Sequence, residues 1–113
     1  MSVSLEWCAG FFEGEGNATI RRYDSKTGKN PFPALQLAQV DREPLDLFCE
    51  TVGGGRVYGP YGPYQNNKKA YYQWSVQGRA ALPIAEKLIP LLIIKRAQLE
   101  AMVREMEMFY ESN

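Results

Sequence analysis

The chain of 113 residues fits a single domain, residues 1–113, with enough length to bury a core of its own. The absence of histidine excludes histidine-based catalytic triads and most zinc sites. The 13 basic and 13 acidic residues balance, so the net charge is not the positive one typical of nucleic-acid binders. The charges are unevenly spread: the segment from Arg21 to Lys29 contains four basic residues and one acidic residue.

Nothing in the sequence indicates export or membrane insertion. No apolar run reaches the roughly 20 residues that cross a bilayer. The amino terminus lacks a basic segment followed by an apolar one, which would mark a signal peptide. Cys8 and Cys49 lie on apolar faces of predicted helices, and we expect them to be buried thiols. We therefore expect an intracellular protein, cytoplasmic or organellar, in a reducing compartment and without a membrane partner.

The first predicted element is an amphipathic helix over residues 5–16, which ends in alternating acids and glycines. Glycine ends a helix well because it accepts the left-handed conformation of the last turn. Glu13 and Glu15 end it badly, because carboxylates face the negative end of the helix dipole. Local costs of this kind often mark function. Upstream, the small residues Ala9, Gly10 and Gly14 would let a second backbone approach closely.

Strands are predicted at residues 17–23, 34–40, 56–58 and 70–77, three of them with one apolar and one polar face. The core-facing set is Ala18, Ile20, Arg22, Leu35, Leu37, Val40, Tyr72, Trp74 and Val76. The opposite face carries Asn17, Thr19, Arg21, Tyr23, Gln36, Ala38, Tyr71, Gln73, Ser75 and Gln77. Hydrogen-bonding side chains repeated on neighbouring strands suit a surface that reads base edges, although a solvated face would look the same. The third strand is interrupted by two Gly-Pro pairs, so its faces are not assigned.

Helices complete the pattern. Asp41 is the predicted N-cap of a helix ending near Val52, and further helices are predicted at 79–89 and 91–111. A turn is predicted from Gln65 to Lys68. The order helix, two strands, helix, two strands, two helices predicts an α+β fold, with a four-stranded antiparallel sheet covered by helices on one face.

The run from Cys8 to Gly16, CAGFFEGEG, resembles the LAGLIDADG motif of homing endonucleases at nine successive positions. Three residues match literally, two phenylalanines replace aliphatic residues, and Glu13 and Glu15 replace the two aspartates. The resemblance implies the αββαββα fold with a saddle-shaped sheet. It also implies site-specific cleavage of double-stranded DNA with Mg²⁺ or another divalent cation. Because the motif occurs once, it implies the homodimeric type, with a pseudo-palindromic target and with Ala9, Gly10 and Gly14 at the dimer interface.

The resemblance also implies roles for individual residues. Glu15 would bind the metal, Gln39 would organise active-site water, and Lys95 would polarise solvent at the scissile phosphate. Glu13 would serve helix packing and bind no metal. A further basic position of the family is Glu43 here, with Arg42 beside it, so the third polar contributor is unassigned. The expected DNA contacts are Asn17, Thr19, Arg21, Tyr23, Gln36, Tyr71 and Gln73, with Arg56 and Tyr58 as weaker candidates.

Two other functions are consistent with the sequence. One is a DNA-binding protein or RNA maturase that uses the same fold without cleavage; retention of both motif acids favours cleavage. The other is a protein-interaction domain whose aromatic sheet residues bind a partner protein, which the neutral net charge favours. The aromatic residues in question are Tyr58, Tyr61, Tyr64 and Tyr71.

Overall fold

The computed structural model describes residues 2–24, 26–27, 29–63 and 69–112, and of Asp24 and Lys29 the backbone only. The turn predicted from Gln65 to Lys68 lies outside these residues. The helices are α1 (Leu5–Glu15), α2 (Glu43–Val52), α3 (Ala81–Leu88) and α4 (Arg96–Ser112). The strands are β1 (Gly16–Asp24), β2 (Lys29–Gln39), β3 (Arg56–Tyr61) and β4 (Tyr71–Gln77). Short 3₁₀ turns precede and follow α3, at Gly78–Ala80 and Ile89–Leu91.

The strands form one antiparallel sheet in the order β1-β2-β4-β3. Successive side chains of a strand point to opposite faces, and directly paired residues share a face. Leu37 pairs with Gly16 on one side and with Trp74 on the other, which sets the register of the helix-covered face. The predicted α+β fold and its antiparallel sheet are therefore confirmed.

The core lies between the sheet and the helices. Its largest fully buried side chains include Phe12 of α1, Phe48 of α2 and Trp74 of β4. The rings of Phe48 and Trp74 meet edge to face, with centroids 4.7 Å apart, an arrangement that aromatic quadrupoles favour. The Nε1 of Trp74 donates a 2.9 Å hydrogen bond to the carbonyl of Gly54, so the indole is buried without an orphaned donor.

Two details at the end of β2 differ from the prediction. Val40, predicted to face the core, is 47% exposed because β2 ends one residue earlier, at Gln39. Asp41 is not the N-cap of α2, because Arg42 occupies that position with helical dihedrals and makes no side-chain capping bond. The guanidinium of Arg42 instead donates to the carboxylate of Asp46 at 3.3 Å, one turn into the helix.

The end of α1 does not use glycine in the predicted way. Gly16 is extended, with φ −80° and ψ 159°, and its N–H donates to the carbonyl of Phe12. A left-handed residue is therefore not what ends this helix. Glycine is required there for space, because a Cβ on residue 16 would lie 2.4 Å from Cδ1 of Phe12. The chain turns from α1 into β1 directly over that ring.

The last helix begins later than predicted, at Arg96 and not at residue 91. Residues 89–91 form a 3₁₀ turn, Leu92 is extended and fully buried, and residues 93–95 form bends. The backbone N–H groups of these bends are bound by Glu13, as described below. Within the described residues, no helix combines the length and the apolar character needed to cross a membrane.

Candidate functional site

Three polar side chains form a hydrogen-bonded row across the uncovered face of the sheet. The Oε1 of Gln36 accepts a bond from Nη2 of Arg21 at 3.1 Å and one from Nε2 of Gln73 at 3.2 Å. Gln36 lies on the central strand β2, Arg21 on β1 and Gln73 on β4. The row therefore orients predicted contact residues on three strands relative to one another.

The other predicted contacts on β1 share this face. Asn17 pairs with Gln36, and Thr19 pairs with Ala34, so their side chains project to the same side as the row. Tyr23 is 77% exposed, and its ring lies 4.5 Å from that of Phe32 between centroids. Contact with Phe32 limits the motion of the Tyr23 ring while its hydroxyl end remains open to solvent.

The register of β3 shows on which face of the sheet Arg56 and Tyr58 lie, which the broken sequence pattern could not indicate. Arg56 pairs with Ser75 and Tyr58 pairs with Gln73, which puts both on the uncovered face. Beyond a register shift, Tyr61 pairs with Tyr71, and their ring centroids are 5.5 Å apart. A groove of about 470 Å³ runs along these two strands. Its lining is Gly55, Arg56, Tyr58, Tyr61, Gln73, Ser75, Val76 and Gln77.

Two of the predicted catalytic residues lie at one end of the sheet. Glu15 is the last residue of α1 and is exposed, directly before the first residue of β1. Gly16 pairs with Leu37, and Gln39 is the last residue of the same strand as Leu37, so Gln39 lies at the same end of the sheet as Glu15. Gln39 is half-buried. Because Gln39 pairs with Tyr72, its side chain lies on the helix-covered face at this end of the sheet.

Glu13 makes a contact that the sequence did not predict. Its carboxylate accepts hydrogen bonds from the backbone N–H groups of Ile93, Ile94 and Lys95, which directly precede α4. The bond from Ile93, followed by those from Ile94 and Lys95 and by the Lys95 charge, holds the pKa of Glu13 below its ordinary value. An acid at the carbonyl end of α1 is unfavourable locally, and the amides before α4 compensate for it.

Lys95 reaches the same helix end from the other direction. Its Nζ donates a hydrogen bond to the backbone carbonyl of Glu13, and its side chain is half-buried. Carbonyls in the last turn of a helix lack intrahelical partners and attract cations. The structure therefore brings Lys95, predicted from the resemblance alone, to the end of α1, the helix of which Glu15 is the last residue.

The predicted dimer residues divide into two groups. Ala9 is only 2% exposed and belongs to the core of its own chain, on the core-facing side of α1. Its place at a dimer interface stays a prediction. Gly10 and Gly14 are exposed, and a Cβ on either would meet no atom within 4 Å. Trp7, on the same side of α1, is 40% exposed.

The donor atoms present suit a hard divalent cation but form an incomplete set. Mg²⁺ prefers oxygen ligands and is usually bound by one or two carboxylates together with water and phosphate oxygens. Glu15 offers an exposed carboxylate of this kind. Among the residues that the structure describes, no three acidic, cysteine or histidine side chains cluster around a possible ion. Further ligands would have to come from water, from a phosphate or from a second copy of the chain.

No protein-family model matches this chain, and no curated protein sequence shows significant similarity to it. Several solved structures, by contrast, are similar to this chain in fold. The homing endonuclease I-CvuI, in complex with uncleaved I-CreI target DNA and Mg, is 26% identical with a TM-score of 0.70. The match covers 91% of this chain and 65% of that one. This chain thus spans a little under two thirds of the I-CvuI chain.

Two further structures share the fold at lower identity. The homing endonuclease I-TnaI is 20% identical with a TM-score of 0.71, over 99% of this chain and 77% of that one. The LAGLIDADG meganuclease I-CpaMI, bound to uncleaved DNA, is 19% identical with a TM-score of 0.76. That match covers 98% of this chain and 39% of the meganuclease. These similarities confirm the resemblance carried by the first helix, and with it the fold.

Proposed function

We propose that this chain, which has the fold of the LAGLIDADG homing endonucleases, is a site-specific endonuclease for double-stranded DNA. It uses Mg²⁺ or another divalent cation to hydrolyse phosphodiester bonds. One observation carries the proposal: the uncovered, hydrogen-bonding face of the sheet ends beside Glu15, at the helix end to which Lys95 is bound. A surface able to read DNA is thereby continuous with groups able to cut it.

The sheet face supplies recognition. Amide and guanidinium groups pair with base edges in the major groove, where each base pair shows a distinct pattern of donors and acceptors. Exposed basic side chains on the same face bind phosphates, which positions the duplex without reading its sequence. The proposed contacts are Asn17, Thr19, Arg21, Tyr23, Gln36, Tyr71 and Gln73, and the register of β3 adds Arg56 and Tyr58.

The helix end supplies the chemistry. Glu15 would hold the cation, which when bound polarises a phosphate oxygen and lowers the pKa of bound water. The amide of Gln39 orients a water molecule by accepting or donating a hydrogen bond. The ammonium of Lys95 stabilises the negative charge that develops on the phosphate. No histidine is needed for any of these roles.

A second copy of the chain would complete the site. The open side of α1 combines Gly10 and Gly14 with the half-exposed indole of Trp7. Near the end of α1, Ile93 and Ile94 are 85% and 82% exposed. Two copies packed through this surface would bring two Glu15 carboxylates together, and a two-fold protein would suit a pseudo-palindromic duplex. Two carboxylates brought together repel unless they are neutralised, and a divalent cation held by Glu15 would supply that neutralisation.

Selection of cleaved duplexes from a random library in Mg²⁺ tests this function. We expect the chain to enrich a pseudo-palindromic site and Glu15→Gln to bind that site without cutting it. Binding by both proteins with cleavage by neither would show a non-cleaving DNA-binding protein or maturase. DNA affinity that barely changes between low and high salt would favour the protein-interaction domain, since phosphate binding must weaken with salt.

A further inference from the structure

Glu13 and the turn before α4 hold each other through two opposed sets of hydrogen bonds. The Glu13 carboxylate accepts from three successive backbone N–H groups, those of Ile93, of Ile94 at 3.1 Å and of Lys95 at 3.3 Å. Consecutive amides that converge on one carboxylate form a concave anion site with charge-assisted bonds. The two oxygens of one side chain are thus shared among three donors.

The opposed bond runs from Lys95 back to Glu13. The Lys95 ammonium donates to the Glu13 backbone carbonyl, one of the last four carbonyls of α1. The Glu13 carboxylate therefore binds amides at the positive end of α4, and the Lys95 ammonium binds a carbonyl at the negative end of α1. Lys95 is attached to Glu13 through both its backbone nitrogen and its side-chain nitrogen.

Side-chain burial does little to hold this turn. Ile93 and Ile94 are 85% and 82% exposed, and only the preceding residue, Leu92, is fully buried. A turn with exposed apolar side chains gains almost no hydrophobic stabilisation from its own conformation. The bonds to Glu13 join this turn to the end of α1, while Arg96 donates hydrogen bonds to the carbonyls of Ile89 and Pro90 just before it.

We propose that Glu13 is a positioning residue of the nuclease site, which holds Lys95 at the end of α1 by binding the backbone of residues 93–95. The inference rests on the proposed function. It assigns the two motif acids different tasks on opposite sides of one helix end. Glu15 is exposed and faces the DNA, whereas Glu13 faces its own chain and positions the Lys95 side chain. Loss of Glu13 would then slow the chemical step and leave DNA binding nearly unchanged.

Glu13→Gln tests this, because it keeps the shape of the side chain and removes the charge that binds the amides. Wild type, Glu13→Gln and the control Glu100→Gln, an exposed glutamate on α4, are compared on the duplex selected by wild type. Single-turnover cleavage is measured in Mg²⁺ and affinity in Ca²⁺. We expect Glu13→Gln to cut at least about tenfold more slowly, since a displacement of about 1 Å can cost a hundredfold, with affinity within about threefold. Glu100→Gln should match wild type in both.

A second measurement needs no DNA. Hydrogen exchange of the amides of Ile93, Ile94 and Lys95 should be at least about tenfold faster in Glu13→Gln than in wild type, because the acceptor is weakened. Unchanged exchange would overturn the proposal, and so would equal cleavage rates or a parallel loss of rate and affinity. A wild-type chain that cuts no duplex would refute the proposed function and Glu13's part in it. Faster exchange in the variant would then show that the contact forms and that the assigned reaction was at fault.

Discussion

Arg21 on β1 donates a 3.1 Å hydrogen bond to the side-chain oxygen of Gln36 on the neighbouring strand β2. The same oxygen accepts a bond from Gln73 on β4, so Gln36 links three of the four strands of the uncovered face. A guanidinium held in this way presents its remaining donors in a fixed direction, which reduces the entropy lost when it binds a base or phosphate. Removal of Gln36 would therefore free both Arg21 and Gln73.

Gln36→Ala should lower affinity for the selected duplex by about 1–3 kcal/mol, because it removes one contact and frees Arg21 and Gln73. Stability should fall by about 1 kcal/mol or less, since the bond from Arg21 is exposed and the bond from Gln73 is half-buried. Fluorescence anisotropy on the selected site and on a scrambled duplex would measure both affinities. Equal losses on the two duplexes would show that Gln36 contributes to general binding and not to reading the sequence.

Gly16→Ala should destabilise the chain by about 1–3 kcal/mol, because the added methyl group would overlap the buried ring of Phe12. Gly14→Ala is the matched control, two residues earlier, where a Cβ meets no atom within 4 Å. Because alanine favours helix over glycine, this control should lose no stability as a monomer. Urea unfolding of both variants gives the comparison, and equal midpoints would contradict the packing described for Phe12.

Trp7→Glu should shift the chain towards monomers if the open side of α1 is the subunit interface. A charge on a face that packs against its own copy would be buried without a partner, which costs several kcal/mol. Sedimentation equilibrium at micromolar concentration measures the change. Glu6→Gln, the neighbouring exposed residue, serves as the control. A wild-type chain that remains monomeric with and without DNA would refute the two-fold site.

Glu107→Gln should stabilise the chain at neutral pH. A hydrogen bond with Glu86, then desolvation and the Glu86 charge, raise the pKa of the exposed Glu107 carboxyl above its ordinary value. A carboxyl with a raised pKa favours folding below the unfolded-state value, and this contribution is lost as pH rises through the folded-state value. The neutral amide avoids that loss, so its advantage should appear above the pKa and vanish in acid. Thermal unfolding of wild type and variant from pH 3 to 8 checks the sign.

Much of the architecture was readable from local patterns. Alternation along β1, β2 and β4 separated core from polar faces, because a strand's side-chain period is two and a single slip would bury the polar set. The acids at the end of α1 indicated a functional element, because a carboxylate there is unfavourable unless something else compensates. What compensates for Glu13 could not be read, since its partners lie some 80 residues further along the chain.

The sequence by itself determined the element order, the two sheet faces and the identity of the motif acids, because these depend on period, propensity and residue type over short spans. Only the tertiary structure decided the hydrogen-bond partners of Glu13, the face of Arg56 and Tyr58, the burial of Ala9 and the late start of α4. Each of these depends on which distant segment packs against the residue. Contacts between distant segments are set by the register of the sheet and by the geometry of the helix ends, and no local pattern encodes them.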